Sequence, residues 1–165
     1  MAYRRPPRLL PECYRGVGRY FLTISTHDRH ECFKSRECVD AVTIDLLRTL
    51  TDYRFEGIVY CFMPDHFHGL CEGTAADCDF MKFTSMFKQR SAFAHKSLTG
   101  RNLWQEGYHD HVLRSDEATL NVVAYILENP VRAGLCTDFR QYPFVGSSVY
   151  SIEELFEWVG TRSRS

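Results

Sequence analysis

The chain is predicted to be an α+β protein: a ferredoxin-like, split βαβ antiparallel sheet with helices on one face, plus a C-terminal helix that is the candidate catalytic element. Three observations predict it. Segments with strand and helix character alternate in the order strand, helix, strand, strand, helix, strand, helix. Pro64-Asp65 supplies tight-turn residues between the two middle strands. At 165 residues, 44% of them hydrophobic, the chain is long enough for one sizeable core but short for two.

Each element has its own warrant. Residues 19 to 26, rich in β-branched and aromatic types, form the first strand, with Tyr20, Leu22 and Ile24 on one face. Val39, Val42, Leu46, Leu50 and Tyr53 recur at helical spacing, so residues 36 to 53 are an amphipathic helix. Residues 57 to 62 and 66 to 72 are the second and third strands. A second helix over 78 to 97 buries Phe80, Phe83, Phe87 and Ala94. The fourth strand lies in the latter part of the segment 103 to 114. Ser115 then caps a helix whose first turn carries Asp116 and Glu117, as the helix dipole prefers. That helix is expected to stop near Asn129, because Pro130 disfavours helical geometry in the residue before it; a short helix then runs from Pro130 to Gly134. The domain reading is a basic arm over 1–18, one domain over 19–150 and a tail over 151–165, disordered from Thr161.

Composition narrows the function classes. No apolar run approaches the roughly 20 residues of a membrane span, and Met1 to Pro7 lacks the apolar segment of a signal peptide, so the expected compartment is the cytoplasm. Seven cysteines, an odd number without a Cys-x-x-Cys pair, indicate neither a disulfide framework nor a zinc ribbon. A net charge of −1 argues against nucleic-acid binding by bulk basicity and leaves room for a local site. The N-terminal arginines Arg4, Arg5, Arg8, Arg15 and Arg19, met only by Glu12, suit phosphates or a solvated tail.

His66-Phe67-His68 opens the third strand, so both imidazoles share a face about 7 Å apart along the backbone. That arrangement suits one divalent metal, or two hydrogen-bonded histidines. A two-residue loop at Pro64-Asp65 sets Met63 opposite His66 and Cys61 opposite His68, which makes zinc on Cys61, His66 and His68 a rival arrangement; Cys71 has the opposite parity. On the helix after Ser115, Asn121, Tyr125 and Asn129 form an i, i+4, i+8 stripe beside the apolar Leu120, Val123, Ala124 and Leu127. If the stripe faces the strand, His66, His68 and Asn129 can hold an ion while Tyr125 serves as an oxygen nucleophile for phosphodiester chemistry. His109 and His111 form a second His-x-His, open to metal, supporting or nucleic-acid roles. Trp104 and Tyr108 are candidate stacking residues, Trp104 equally a core anchor.

Together Tyr3-Arg4-Arg5, Tyr20 to Thr23, Met63 to His68, Leu103-Trp104-Gln105, His109 to Val112 and Tyr125 to Gly134 resemble the REP-associated tyrosine transposases. These belong to the HUH endonucleases, and the resemblance spans roughly residues 3 to 150. It implies a ferredoxin-like fold, a bound Mg2+ or Mn2+, and cleavage and rejoining of single-stranded DNA beside palindromic hairpins through a 5′-phosphotyrosine. By position it makes His66, His68 and Asn129 the metal ligands and Tyr125 the nucleophile. Arg4, Arg5, Lys88, Arg90, Trp104 and Arg132 are the expected DNA contacts, and the molecule is expected to be a monomer or a homodimer. The alternative is a non-catalytic nucleic-acid-binding module on the same sheet, stacking bases on exposed strand aromatics without a metal.

Overall fold

Alternation along the strands sorts the side chains into two cores. In the computed structural model, which describes residues 8–162, the elements are β1 (Arg19–Ser25), α1 (Arg36–Asp52), β2 (Phe55–Met63), β3 (His66–Gly73), α2 (Phe80–Thr99), β4 (His109–Leu113), α3 (Asp116–Arg132), β5 (Val145–Gly146) and α4 (Ile152–Arg162). The sheet is antiparallel with order β4-β1-β3-β2-β5. Its first four strands have the order a split βαβ unit demands, as expected. Tyr20, Leu22 and Ile24 of β1, Phe62 of β2 and Phe67 of β3 point to one side, where α1 and α2 bring Leu46, Leu50, Phe80, Phe83 and Phe87. Gly69 belongs to this side too: a Cβ there would lie 2.9 Å from the Phe67 ring, so the absent side chain makes room for that ring.

The opposite face carries Cys61, Met63, Leu70 and Leu113, covered by Val123, Ile126 and Leu127 of α3 and by Leu155 and Val159 of α4. Helices therefore cover both faces, and the cover on the second is thicker than the sequence suggested. The expected tail over 151–165 contains α4. Ser151 Oγ accepts from the Glu154 N–H (3.2 Å) and Glu154 Oε2 accepts from the Ser151 N–H (2.7 Å), a reciprocal capping box that starts the helix. Thr161 and Arg162 end it as helical residues. The arm over 1–18 is likewise anchored in its described part: Tyr14 is buried, and Arg15 bridges to Asp79.

One helix boundary differs. α3 does not stop at Asn129 but runs through Pro130 to Arg132. Pro130 lies in the last turn, so its missing N–H removes one bond from the ladder, while its ring is buried with the apolar face. The helix still closes properly, with Gly134 N–H to the Val131 carbonyl and Leu135 N–H to the Pro130 carbonyl, each 2.9 Å, and Gly134 at φ +72°. Burial of Pro130 outweighs the local preference of Asn129. The C-terminal segment also adds β5 beside β2, and the Tyr142 hydroxyl donates to the Phe62 carbonyl at 2.6 Å.

Candidate active site

The site grows from the turn between β2 and β3. Met63 pairs with His66 and Cys61 with His68, so Pro64 and Asp65 are a two-residue loop, as their chemistry predicted. The loop is tied from outside: the Thr26 N–H and hydroxyl both donate to the Asp65 carbonyl at 2.9 Å, and the Phe33 N–H donates to the Pro64 carbonyl at 3.1 Å. The Asp65 carboxylate is held between Arg29 Nε (2.9 Å) and His66 Nδ1 (2.7 Å). Burial raises its pKa, but the His66 hydrogen bond and the Arg29 charge outweigh that and hold it below the usual carboxylate value. It is an anion that orients the His66 ring.

His68 lies deeper, 4% exposed, directly opposite Thr23 on β1, and its Nδ1 is 2.8 Å from Thr23 Oγ1. With both Nδ1 atoms engaged, the two Nε2 atoms face each other at 3.1 Å. Burial, and then the charges of His66 and Arg132, push the His68 pKa down to about 3, so this ring is neutral at neutral pH. Two cis ligands of an ion bound at roughly 2.1 Å lie about 3 Å apart, so the imidazole pair fits two coordination positions of one ion. Outward hydrogen bonds from the far nitrogens are what metal-binding histidines normally have.

The helix α3 brings Tyr125 over this pair. Its ring centroid is 5.7 Å from that of His68 and 5.9 Å from that of Phe21, edge to face in both cases. The residue is 44% exposed, and among the described residues its hydroxyl makes no hydrogen bond. Arg132, two turns on, folds back with its guanidinium 4.4 Å above the ring, donates to the Tyr125 carbonyl at 2.5 Å and lies 3.5 Å from Glu128. At the other end of α3, Arg19 Nη1 donates to Asp116 Oδ1 (2.5 Å) and Thr119 Oγ1 (2.9 Å), fixing the helix on β1.

His66, His68, Tyr125 and Arg132 are thus brought together. Asn129 is half-buried one turn beyond Tyr125, and among the described residues no hydrogen bond joins its amide to either histidine. No group of three His, Cys, Asp or Glu side chains is placed to hold a metal among the described residues, so the histidines need a donor of another type, such as an amide oxygen or water. Cys61 shares their face but is a core thiol: it is fully buried, its Sγ is 3.9 Å from Met63 Sδ, and burial pushes its pKa up to about 12. The zinc arrangement on Cys61 is therefore not assembled.

Other expected contacts lie elsewhere. Trp104 is 8% exposed, packed on Phe33 and Phe87, with its indole N–H donating to Ser91 Oγ at 2.9 Å. It is a core anchor, not a stacking platform. Lys88 donates to the carbonyls of Gln105 (3.0 Å) and Gly107 (2.7 Å), and Arg90 pairs with Asp52 at 2.8 Å. Both are on α2, across the sheet from the histidines. Arg4 and Arg5 lie outside the described residues. His109 and His111 pair with Thr23 and Phe21, which puts them on the histidine face two strands from His68, both exposed.

Thr23, Asp65, Arg29 and Phe21 complete the site without having been singled out. Asp65 had a signal, a carboxylate directly before the first histidine. Thr23 and Phe21 join only once β1 is registered on β3.

No family model matches the chain. Among curated proteins, it is 25% identical over 138 residues to a Haemophilus influenzae protein provisionally named a REP-associated tyrosine transposase, covering 77% of this chain and 78% of that one. It is 24% identical over 153 residues to the Escherichia coli (strain K12) REP-associated tyrosine transposase, covering 89% and 88%. A solved REP-associated tyrosine transposase bound to a REP hairpin has the same fold, with a TM-score of 0.73 at 22% identity over 86% of this chain and 82% of that one.

Proposed function

We propose that this chain, a relative of the REP-associated tyrosine transposases, is a metal-dependent single-stranded DNA endonuclease and strand transferase that cuts beside hairpins through a 5′-phosphotyrosine on Tyr125. The observation that carries the proposal is the Tyr125 ring standing 5.7 Å from that of His68, whose Nε2 meets the His66 Nε2 at 3.1 Å. Those two nitrogens, with Asn129 as the amide donor on α3, would hold Mg2+ or Mn2+. When bound, such an ion polarises the scissile phosphate and offsets charge in the transition state.

The chain's own residues do the rest. The Tyr125 oxygen attacks phosphorus and forms a phosphotyrosine ester as the P–O3′ bond breaks; the phenol gives up its proton and the departing 3′-oxygen takes one up. One ester replaces another, so no nucleotide cofactor is consumed, and the free 3′-hydroxyl reseals the strand by the reverse attack. Arg132, above the phenol ring, offers its guanidinium to a phosphate oxygen. Neutral His68 keeps its lone pair for the ion. Thr23 and Asp65 fix the two rings.

DNA hairpins are the proposed partner: the solved neighbour is described as bound to a REP hairpin, and its fold is shared across most of both chains. A cytoplasmic location belongs to the same proposal; no helix of the described residues is long and apolar enough to cross a membrane. The non-catalytic alternative gains no support from the sheet, because helices cover both faces and strand aromatics such as Tyr20 and Phe67 are buried.

The test is incubation with hairpin-bearing single strands and manganese, followed by a denaturing gel. The wild-type chain is expected to give a covalent adduct. Tyr125→Phe is expected to retain fold, metal binding and hairpin binding while cleavage and adduct vanish together. His66→Ala is expected to lose cleavage through the metal, with partial recovery in excess manganese. Cleavage by the Phe variant would mean that water or another tyrosine attacks, and would overturn the mechanism.

A further inference from the structure

Across the sheet from Tyr125, α1 and α2 enclose a 590 Å³ cavity whose wall includes Cys32, Cys38, His30, His95 and Arg101. Nothing in the proposed DNA chemistry uses these groups. Cys32 sits in a short 3-10 turn immediately before α1, held by its fully buried neighbour Phe33. Cys38 is the third residue of α1, and its N–H donates to the cap Ser35 Oγ at 3.3 Å. Cys32 and Cys38 line the same cavity and are joined through the cap Ser35, whose N–H donates to the Cys32 carbonyl at 3.2 Å and whose Oγ accepts from the Cys38 N–H; Cys38 Sγ is 3.8 Å from His95 Nδ1. Both cysteines are free and only partly buried. Among the described residues no set of three His, Cys, Asp or Glu side chains is placed here to hold a metal.

We propose that Cys32 and Cys38 form a peroxide-reactive dithiol, with Cys38 the attacking sulfur and Cys32 the resolving one. The Cys38 thiolate attacks one oxygen of hydrogen peroxide; the O–O bond breaks and hydroxide leaves, taking up a proton to become water. Cys32 sulfur then attacks the Cys38 sulfenic acid: the S–S bond forms, the S–O bond breaks, and hydroxide leaves with the Cys32 proton as a second water. The dithiol loses two electrons and the peroxide gains them.

The geometry sets the order of attack. Cys38 stands in the first turn of α1, where helix N–H groups favour a thiolate, and the His95 imidazole, whose pKa burial lowers, is a neutral ring that can accept its S–H. Interaction with Cys32 holds the Cys38 pKa below the usual thiol value although burial opposes it, while interaction with Cys38, and then burial, raises that of Cys32. Elsewhere burial disarms the thiols: Cys61 and Cys71 are pushed up to about 12. The cavity admits a small oxidant to the pair.

The test treats the full-length chain with substoichiometric hydrogen peroxide and maps every thiol by differential alkylation and peptide mass spectrometry. The expected result is a Cys32–Cys38 cross-linked peptide as the predominant oxidised species, formed at the same rate at any protein concentration and reversed by dithiothreitol. Cys32→Ser is expected to trap Cys38 as a sulfenic acid captured by dimedone, and Cys38→Ser to leave Cys32 reduced. Oxidation that begins at the half-buried Cys13 or Cys136, a disulfide between molecules, or independent alkylation of both cysteines after peroxide would each overturn the proposal. The wild-type map alone decides this, whether or not the variants fold.

Discussion

A histidine that is to offer a lone pair must stay unprotonated, and His68 achieves this by burial. Its folded pKa, near 3, lies far below the ordinary value of about 6.5. In the metal-free chain the unfolded state therefore binds a proton at His68 over the window from about pH 6.5 down to about 3, while the folded state does not. Stability falls as pH drops through that window, by at most about 1.4 kcal/mol per pH unit from this one group, and the contribution is fully present above it. His68→Gln, measured in chelator by denaturant unfolding against pH, is expected to flatten the acid limb relative to wild type; an unchanged limb would mean that His68 protonates equally in both states. At this scale the sequence was legible where chemistry is local. His66, His68, Tyr125 and Arg132 could be found from spacing and resemblance, whereas Trp104 and Lys88 could not be placed, because an indole N–H meeting Ser91 and an ammonium meeting two loop carbonyls depend on a packed interior.

Among the elements, α3 sets the site, and α4 packs beside α3 over the same face of the sheet. The first four strands and the first three helices could be read from the sequence, whereas the two-residue β5 could not. α4 was missed although Ser151 and Glu154 have capping-box spacing and Ile152, Leu155, Phe156 and Val159 have helical spacing. Its many aromatics read as anchors of an irregular segment, and the helix is fixed by burying Leu155 and Val159 beside α3. Leu155 is fully buried, so Leu155→Ala is expected to cost about 2–5 kcal/mol of unfolding free energy. Hairpin cleavage should fall with it if α4 holds Tyr125 in register, which a urea titration alongside the adduct assay checks. A loss below about 0.5 kcal/mol would show that α4 is an ornament of the fold, as the tail reading had it.

For the molecule as a whole, a net charge of −1 means that any affinity for DNA must come from a local arrangement of cations. Several arginines are already engaged: Arg19 with Glu72, Asp116 and Thr119, Arg29 with Asp65, Arg90 with Asp52. The N-terminal arm differs along its length. Arg8 is fixed against β4, 3.6 Å from Asp110 and 4.2 Å from the Tyr108 ring, whereas Arg4 and Arg5 precede the described residues. Each single-strand phosphate neutralised contributes about 0.7 to the slope of log affinity against log salt. Deleting residues 1–7 removes Arg4 and Arg5 while sparing the anchored Arg8. If those two arginines contact phosphates, the slope for a hairpin-bearing single strand should fall by about 1.4, with cleavage chemistry on the bound strand intact. An unchanged slope, measured by fluorescence anisotropy across a salt series, would assign the arm no phosphate and shift the search to Arg132, the cation beside the histidine pair.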